Sequence, residues 1–533
     1  MTSAPISRPD RLAILLLQIG AVAIVLVAVP FKAFDLDRYF VPKELVLHLC
    51  AAATALLLVV RRTRLAFSVT DQFLAAFLAA SLLSSLMATN LWLASRAVAI
   101  SLSGAALFWV TSALRRDGLA TSLVAALAVG VVVGAATSLL QAYGVRTEYF
   151  SLNRAPGGTF GNRNFVAHLC AIGAPVVVLA ALTARRGLHS ALGGLGLAIV
   201  IAALVLSRSR AAWLALIAFI VPVGALAYLT RAQWYQPRTG RRLFALATFV
   251  VVGAAAAVAL PNRLEWKSDS PYLDSAAGLV NYREGSGRGR LVQYSNSLDM
   301  VRAHPILGVG PGNWAVAYPK YASRNDPSMS QDDGVTSNPW PSSDWVAILA
   351  ERGVVGFALL FVTMFALLAR ALRELRTATS DPERALTALA LVGTLVATAV
   401  VGAFDAVLLL AVPTFFVWTL AGALSPPVQG RAFVERGVKR LIPAGVLALG
   451  IFTVGHSAFQ LAAMGAVNAS TRTATLENAV LLDPGSYRIR LRLAQAYVNR
   501  GNCAGAREQA RAARSLMPNA AEPRRVLSMC GSR

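Results

Sequence analysis

Four short stretches carry the side chains best suited to chemistry. The first, "GGTFGNRNFVAHL" at 157–169, opens an apolar run. Its glycines permit backbone shapes closed to other residues. Asn162 is placed to cap the following helix, and the free N–H groups of such an N-terminus attract anions. His168 follows Asn164 by one turn on the same face. Within a membrane such an imidazole either bonds a neighbouring helix or takes part in catalysis. The second, "SRSR" at 207–210, sets Arg210 beside apolar residues, where a guanidinium is costly unless paired. Arg210 either snorkels to lipid headgroups or grips a phosphate through two parallel hydrogen bonds. The third, "GSGRGRLVQYSNSLDMVRAHPILGVGPGNWAVAYPKYA" at 285–322, starts with Arg288 and Arg290 at the head of an expected helix. Its later glycine string carries little weight as a phosphate loop, because no strand precedes it. The fourth, "WPSSDWVAILAERGVVGF" at 340–357, brings Ser342, Ser343 and Asp344 to another helix start, where aspartate is also a common cap.

An apolar scaffold must position these stretches. The 533 residues are 56% hydrophobic and only 14% charged, which excludes an ordinary cytosolic enzyme and a disordered scaffold. The pattern predicts an all-α polytopic membrane protein of about 12–13 transmembrane helices. Thirteen apolar runs are read, from 12–30 to 441–463, with the tenth at 345–369 and the twelfth at 405–424. The first lacks a clear cleavage site and is expected to remain as a signal anchor. Basic residues gather in alternate connections: Arg8 and Arg11 before the first run, Arg61, Arg62 and Arg64 after the second, Arg115 and Arg116 after the fourth. Arg185 and Arg186, Arg231 to Arg242, Arg370 to Arg384, and Arg431, Arg436, Lys439 and Arg440 continue the series. The positive-inside rule makes that side cytoplasmic, with the N-terminus. The long 261–344 segment and the C-terminal tail then face the periplasm. The net charge of +24 would otherwise suggest a nucleic-acid partner. The outer segment balances eight basic against nine acidic residues, so no polycationic arm exists and nucleic acid is excluded.

The chain is expected to divide into a membrane domain, 1–464, and a tail, 465–533. In the tail, Ala479, Leu482 and Pro484 recur as Ala513, Leu516 and Pro518, and Arg490 and Leu493 as Arg524 and Leu527. The spacing of 34 is that of the tetratricopeptide repeat, which the tail resembles. One full unit plus a fragment is short, so the tail is expected to pack on the outer loops or on a protein partner. Its Cys503 and Cys530 are candidates for a disulfide.

Taken together, "GTFGNRNF", "SRSRAAW", "LDMVRAHPILGVGPGNW" with "YPKY", and "SSDWVAILAERGVVGF" occur in an order that resembles the O-antigen ligase and polymerase superfamily of bacterial envelope glycosyltransferases. The resemblance covers most of residues 30–425, and Lys43 in "FVPKE" is similar to that family's first outer loop. It implies an inner-membrane enzyme that transfers a glycan from undecaprenyl diphosphate to an acceptor hydroxyl at the periplasmic face. The acceptor would be a glycan, a lipid A core or a protein, and the reaction would need no metal or other cofactor. It also implies that Arg210 and Arg290, with Arg288 helping, hold the diphosphate of the leaving lipid. One departure stands out: Ser342 and Ser343 occupy positions where ligases of the family commonly carry His–Asn. Serine accepts a proton poorly. Either Asp344 takes that role, or the leaving-group contacts suffice, or the protein is not a typical lipid A–core ligase. The rival functions are a polyprenyl-linked glycan flippase and a non-catalytic assembly scaffold.

Overall fold

The computed structural model describes residues 8–61, 65–116, 120–150, 154–266, 268–279, 285–323, 325–330, 333–378, 381–426, 431–433 and 438–531. Arg62, Arg64 and Arg436 of the basic connections lie outside the described residues. Among the described residues, nine long helices come first: α1 (Arg8–Leu26), α2 (Asp37–Arg61), α3 (Val69–Ser84), α4 (Leu91–Arg116), α5 (Ala120–Ala142), α6 (Arg163–Thr183), α7 (Gly187–Ser207), α8 (Arg210–Leu229) and α9 (Pro237–Ala259). The 261–344 segment contributes α10 (Pro271–Ala277) and α11 (Gly285–Ala303). After it come α12 (Asp344–Thr377), α13 (Pro382–Phe404), α14 (Ala411–Leu424) and α15 (Val438–Ala469), then the tail helices α16 (Thr473–Leu482), α17 (Tyr487–Asn499), α18 (Cys503–Leu516) and α19 (Glu522–Met529). Among the described residues the strands amount to one antiparallel pair, Leu65–Phe67 with Arg431–Phe433.

Twelve of these helices are long and apolar enough to cross a membrane, so the protein is an all-α, multi-pass membrane protein. The exception is α14. The sequence suggests a span over 405–424, but only Ala411–Leu424 is helical, 14 residues. At 1.5 Å per residue that is about 21 Å, short of a hydrocarbon core of about 30 Å. It packs on α4 through small residues: a side chain at Gly104 would press on Thr414 and Trp418, and one at Gly422 on Thr111 and Phe108. Without water to drive association, such close backbone approach is how membrane helices gain dispersion energy. α6 is the hub, with 89% of its apolar window buried, so the site motif that opens it is anchored on the most enclosed of the candidate spans.

α12 is broken at Gly353, where φ is 65°. A Cβ there would collide with the Ile306 carbonyl. Around the break, Val354 N–H bonds the Pro305 carbonyl at 2.8 Å, and Val309 and Gly310 N–H bond the Ala350 and Glu351 carbonyls at 3.0 and 2.9 Å. The glycine- and proline-rich "HPILGVG" turn is thus a lid on a helix break.

The tail sits on the same face as the 261–344 segment. Its helices form antiparallel hairpins, and Cys503 pairs with Cys530, tying the start of α18 to the end of α19. The 34-residue spacing has a physical counterpart. Arg490 donates to the Pro484 carbonyl at 2.7 Å, and Arg524 donates to the Pro518 carbonyl at 3.3 Å. Ala479 and Ala513 are both fully buried. Among the tail's contacts with the body, Asn90 Nδ2 donates to the Gly485 carbonyl at 3.3 Å, Ala521 N–H donates to the Asp333 carbonyl at 2.8 Å, and Leu476, Ile489 and Leu493 join Phe34 and Val41 in one apolar cluster.

Two outcomes test this architecture. Gly353→Ala should lower the thermal midpoint in detergent by several degrees, because positive φ alone costs a non-glycine residue ~1–3 kcal/mol and the carbonyl clash adds to it. Val354→Ala, which keeps the N–H, should have little effect. Ala521→Pro, which deletes the donor to Asp333, should expose the 325–338 segment to limited proteolysis while the membrane body keeps its melting temperature.

Candidate functional site

On the loop face a cleft of about 930 Å³ opens between α6, α11 and the segments 323–342 and 405. Among the described residues, three guanidinium groups line it, from Arg154, Arg288 and Arg290, with one carboxylate, Asp405. Asn162, Asn164, Gln293 and Ser342 complete the polar wall, and Phe165 and Trp340 the apolar one. Three guanidiniums beside one carboxylate among these residues suit a ligand with more than one negative charge, and arginine forks suit phosphate oxygens.

Each wall has a local cause. Asn162 caps α6 by accepting the Asn164 N–H at 3.0 Å. The loop before it is pinned: Gly161, at φ 74°, lies against the Tyr39 ring, and Ser138 Oγ donates to the Pro156 carbonyl at 2.7 Å. Asn164 is then free to donate through Nδ2 to Asp405 at 3.4 Å. α11 holds the opposite rim. Gln293 accepts the Ser342 N–H at 2.6 Å and donates to Ser328 at 3.1 Å, while Tyr294 donates to the Ser342 carbonyl at 2.6 Å. Below it, Tyr318 and Asn296 both donate to Asp326, at 2.7 and 2.8 Å. Burial and the neighbouring Asp326 carboxylate push the Tyr318 phenol well above its ordinary value, so it remains a donor at neutral pH.

The structure brings together Asn162, Asn164, Arg288, Arg290 and Ser342 from the sequence-derived set. The others lie elsewhere. Arg210 donates to the Gly278 carbonyl at 2.6 Å, beyond the cleft wall. Its neighbour Arg208, at φ 51°, stacks over Trp266 at 4.1 Å, and burial lowers its guanidinium from the ordinary value. Lys43 is in α2 rather than in a loop. It is buried, donates to the Val27 carbonyl and faces the Phe160 ring at 5.1 Å. His168 is fully buried, with Nε2 3.7 Å from Asp405 Oδ2.

Asp344 has a different occupation from the proton acceptor considered above. It is fully buried, and its two oxygens accept the Val407 and Leu408 N–H groups at 2.9 and 2.8 Å. The helix cap is Ser343, whose Oγ faces the Val346 N–H at 3.4 Å and donates to the Gly402 carbonyl at 3.1 Å. Two charged residues of the cleft escaped the sequence reading. Asp405 had a visible signal, being the only acid from 384 to 434, inside an apolar stretch where an ionisable side chain marks function. Arg154 had none, because nothing in its irregular loop shows where its side chain reaches. Among the described residues, no group of three or more His, Cys, Asp or Glu could hold a metal ion.

The two aspartates are separable by experiment. Asp344→Asn turns one acceptor into a donor facing a backbone N–H, so stability should fall by about 1–3 kcal/mol, the cost of a buried unsatisfied group. Asp405→Asn should leave the thermal midpoint nearly unchanged. Equal melting of both variants would remove this distinction.

No curated protein matches the chain. Residues 195–361 match the family model described as O-antigen ligase, a stretch that includes Arg288, Arg290, Ser342 and Asp344. This supports, at a coarse level, a membrane glycosyltransferase that takes a glycan or lipid-linked donor and a glycan acceptor. Over residues 195–361 the chain is thus similar to the O-antigen ligase family.

Proposed function

We propose that the cleft transfers an oligo- or polysaccharide from undecaprenyl diphosphate to an acceptor hydroxyl at the periplasmic face of the bacterial inner membrane. The observation that carries this reading is the meeting of Arg154, Arg288 and Arg290 with the Asp405 carboxylate in one cleft. The acceptor oxygen attacks the anomeric carbon while the bond from that carbon to the phosphate oxygen breaks. The diphosphate leaves with an added negative charge, which preorganised guanidiniums stabilise more strongly as it develops. The acceptor proton goes to Asp405, a carboxylate lining the cleft. Asn164 and His168 stand beside Asp405 and orient it. In this scheme no step needs a metal. Ser342, held from both sides by Gln293 and Tyr294, lines the acceptor path rather than taking a proton.

The tail, read as a tetratricopeptide-like unit, supports the 333–338 rim and offers its outer surface to a protein partner. The N-terminus is then cytoplasmic and the tail periplasmic, as the arginine-rich connections on the opposite face suggest.

The test is glycan transfer in proteoliposomes loaded with lipid-linked donor. Arg290→Ala and Arg288→Ala should each reduce product, and Asp405→Asn should lower the rate by roughly 10²–10⁴, the usual contribution of a general base. Arg210→Ala should have a milder effect than Arg290→Ala. Full transfer by Asp405→Asn and Arg290→Ala together would point to transport or scaffolding instead.

A further inference from the structure

Opposite the cleft, an apolar groove of about 260 Å³ runs between α2, α4 and α15. Ala55, Leu58, Ala106, Val110, Val446 and Leu449 form its walls. Along α15 it extends from Thr453 down to Ile442. By helical rise that is on the order of 16 Å, close to half of a ~30 Å hydrocarbon core and so the depth of one leaflet. The groove ends on Asp71, Ser112 and Arg116, which also line a small polar recess with Ser425 and Arg370.

The chemistry of that end is anion-binding. Among the described residues, Arg116, Arg370 and Asp71 are the charged groups there; Arg370 also donates to the Pro426 carbonyl at 2.6 Å, and Asp71 accepts from the Ser68 N–H and Oγ as a helix cap. Ser112 Oγ, Ser425 Oγ and Arg370 Nε are buried there with no hydrogen-bond partner. Buried polar atoms left unpaired are costly, and three at one recess point to a ligand that supplies oxygens. The recess has room for only about 10 Å³, so the anion must sit at its rim with the bulk of the ligand in the groove.

We propose that this groove and recess bind an anionic phospholipid of the leaflet opposite the cleft. One acyl chain lies along α15 and the headgroup phosphate meets Arg116 and Arg370. This site is separate from the glycan-transfer cleft and does not depend on how that cleft works.

The experiment is native mass spectrometry of the full-length protein in mild detergent, titrated with phosphatidylglycerol and with phosphatidylcholine of the same chains. Phosphatidylglycerol should be retained in preference by roughly fivefold for each guanidinium engaged. Arg116→Ala combined with Arg370→Ala should abolish that preference. Val446→Trp, which fills the groove and leaves both arginines, should reduce retention of both lipids, and it serves where the double variant does not fold. Equal retention of the two lipids, a preference that survives the double substitution, or unchanged retention in Val446→Trp would each overturn the proposal. So would displacement of the lipid by inorganic phosphate, which would mark a site for free anions.

Discussion

A membrane body tolerates non-helical backbone only where every N–H and C=O finds a partner. Between α13 and α14 the chain breaks that regularity, and Asp344 supplies the missing acceptors for Val407 and Leu408. Much of the site follows from this one arrangement. It stops α13 at Phe404, turns Asp405 toward the cleft, and shortens α14 to 14 residues. Because Asp344 is also the first residue of α12, the same carboxylate fixes Ser342 and Ser343 at the cleft's edge. Burying a carboxylate is expensive, and here two backbone donors offset the cost.

Among the described residues, the cleft gathers three guanidiniums with no ion pair joining them to an acid. Arg288 and Arg290 are two residues apart on α11, while Arg154 comes from a loop more than a hundred residues earlier. Their mutual repulsion is tolerable because the cleft is open to water and large enough to hold a polyanion. Elsewhere the body shows a charge paired within the scaffold. Arg96 bonds Glu44 at 2.8 Å and Asp37 at 3.0 Å, joining α2 to α4 below the tail's docking point. The contrast between paired and clustered arginines separates scaffold from site more clearly than total charge does.

Several elements could be read before folding. The apolar runs are visible because a helix in lipid must be apolar on nearly every side. Asn162 could be read as a cap, and Arg288 and Arg290 as the head of a helix, because both depend on neighbours within a few residues. Arg210 and Lys43 show where such reading stops. Arg210 belongs to a conspicuous "SRSR" stretch, yet its side chain runs to Gly278, 68 residues away. Lys43 lies in a motif that resembles a loop, yet a helix beginning at Asp37 draws it into the body. Neither destination leaves a mark in local composition.

The sequence by itself determined the membrane, the helices and the periodicity of the tail. These follow from local rules: apolar length, capping chemistry, and a spacing of 34. Only the tertiary structure decided which charges face one another. It placed Asp405 and Arg154 in the cleft, gave Asp344 to the backbone, and set the tail's turn against Asp333. The physical reason is one of range. Hydrophobic periodicity is read within a single helix, whereas an electrostatic site is built where helices distant in sequence end at the same depth.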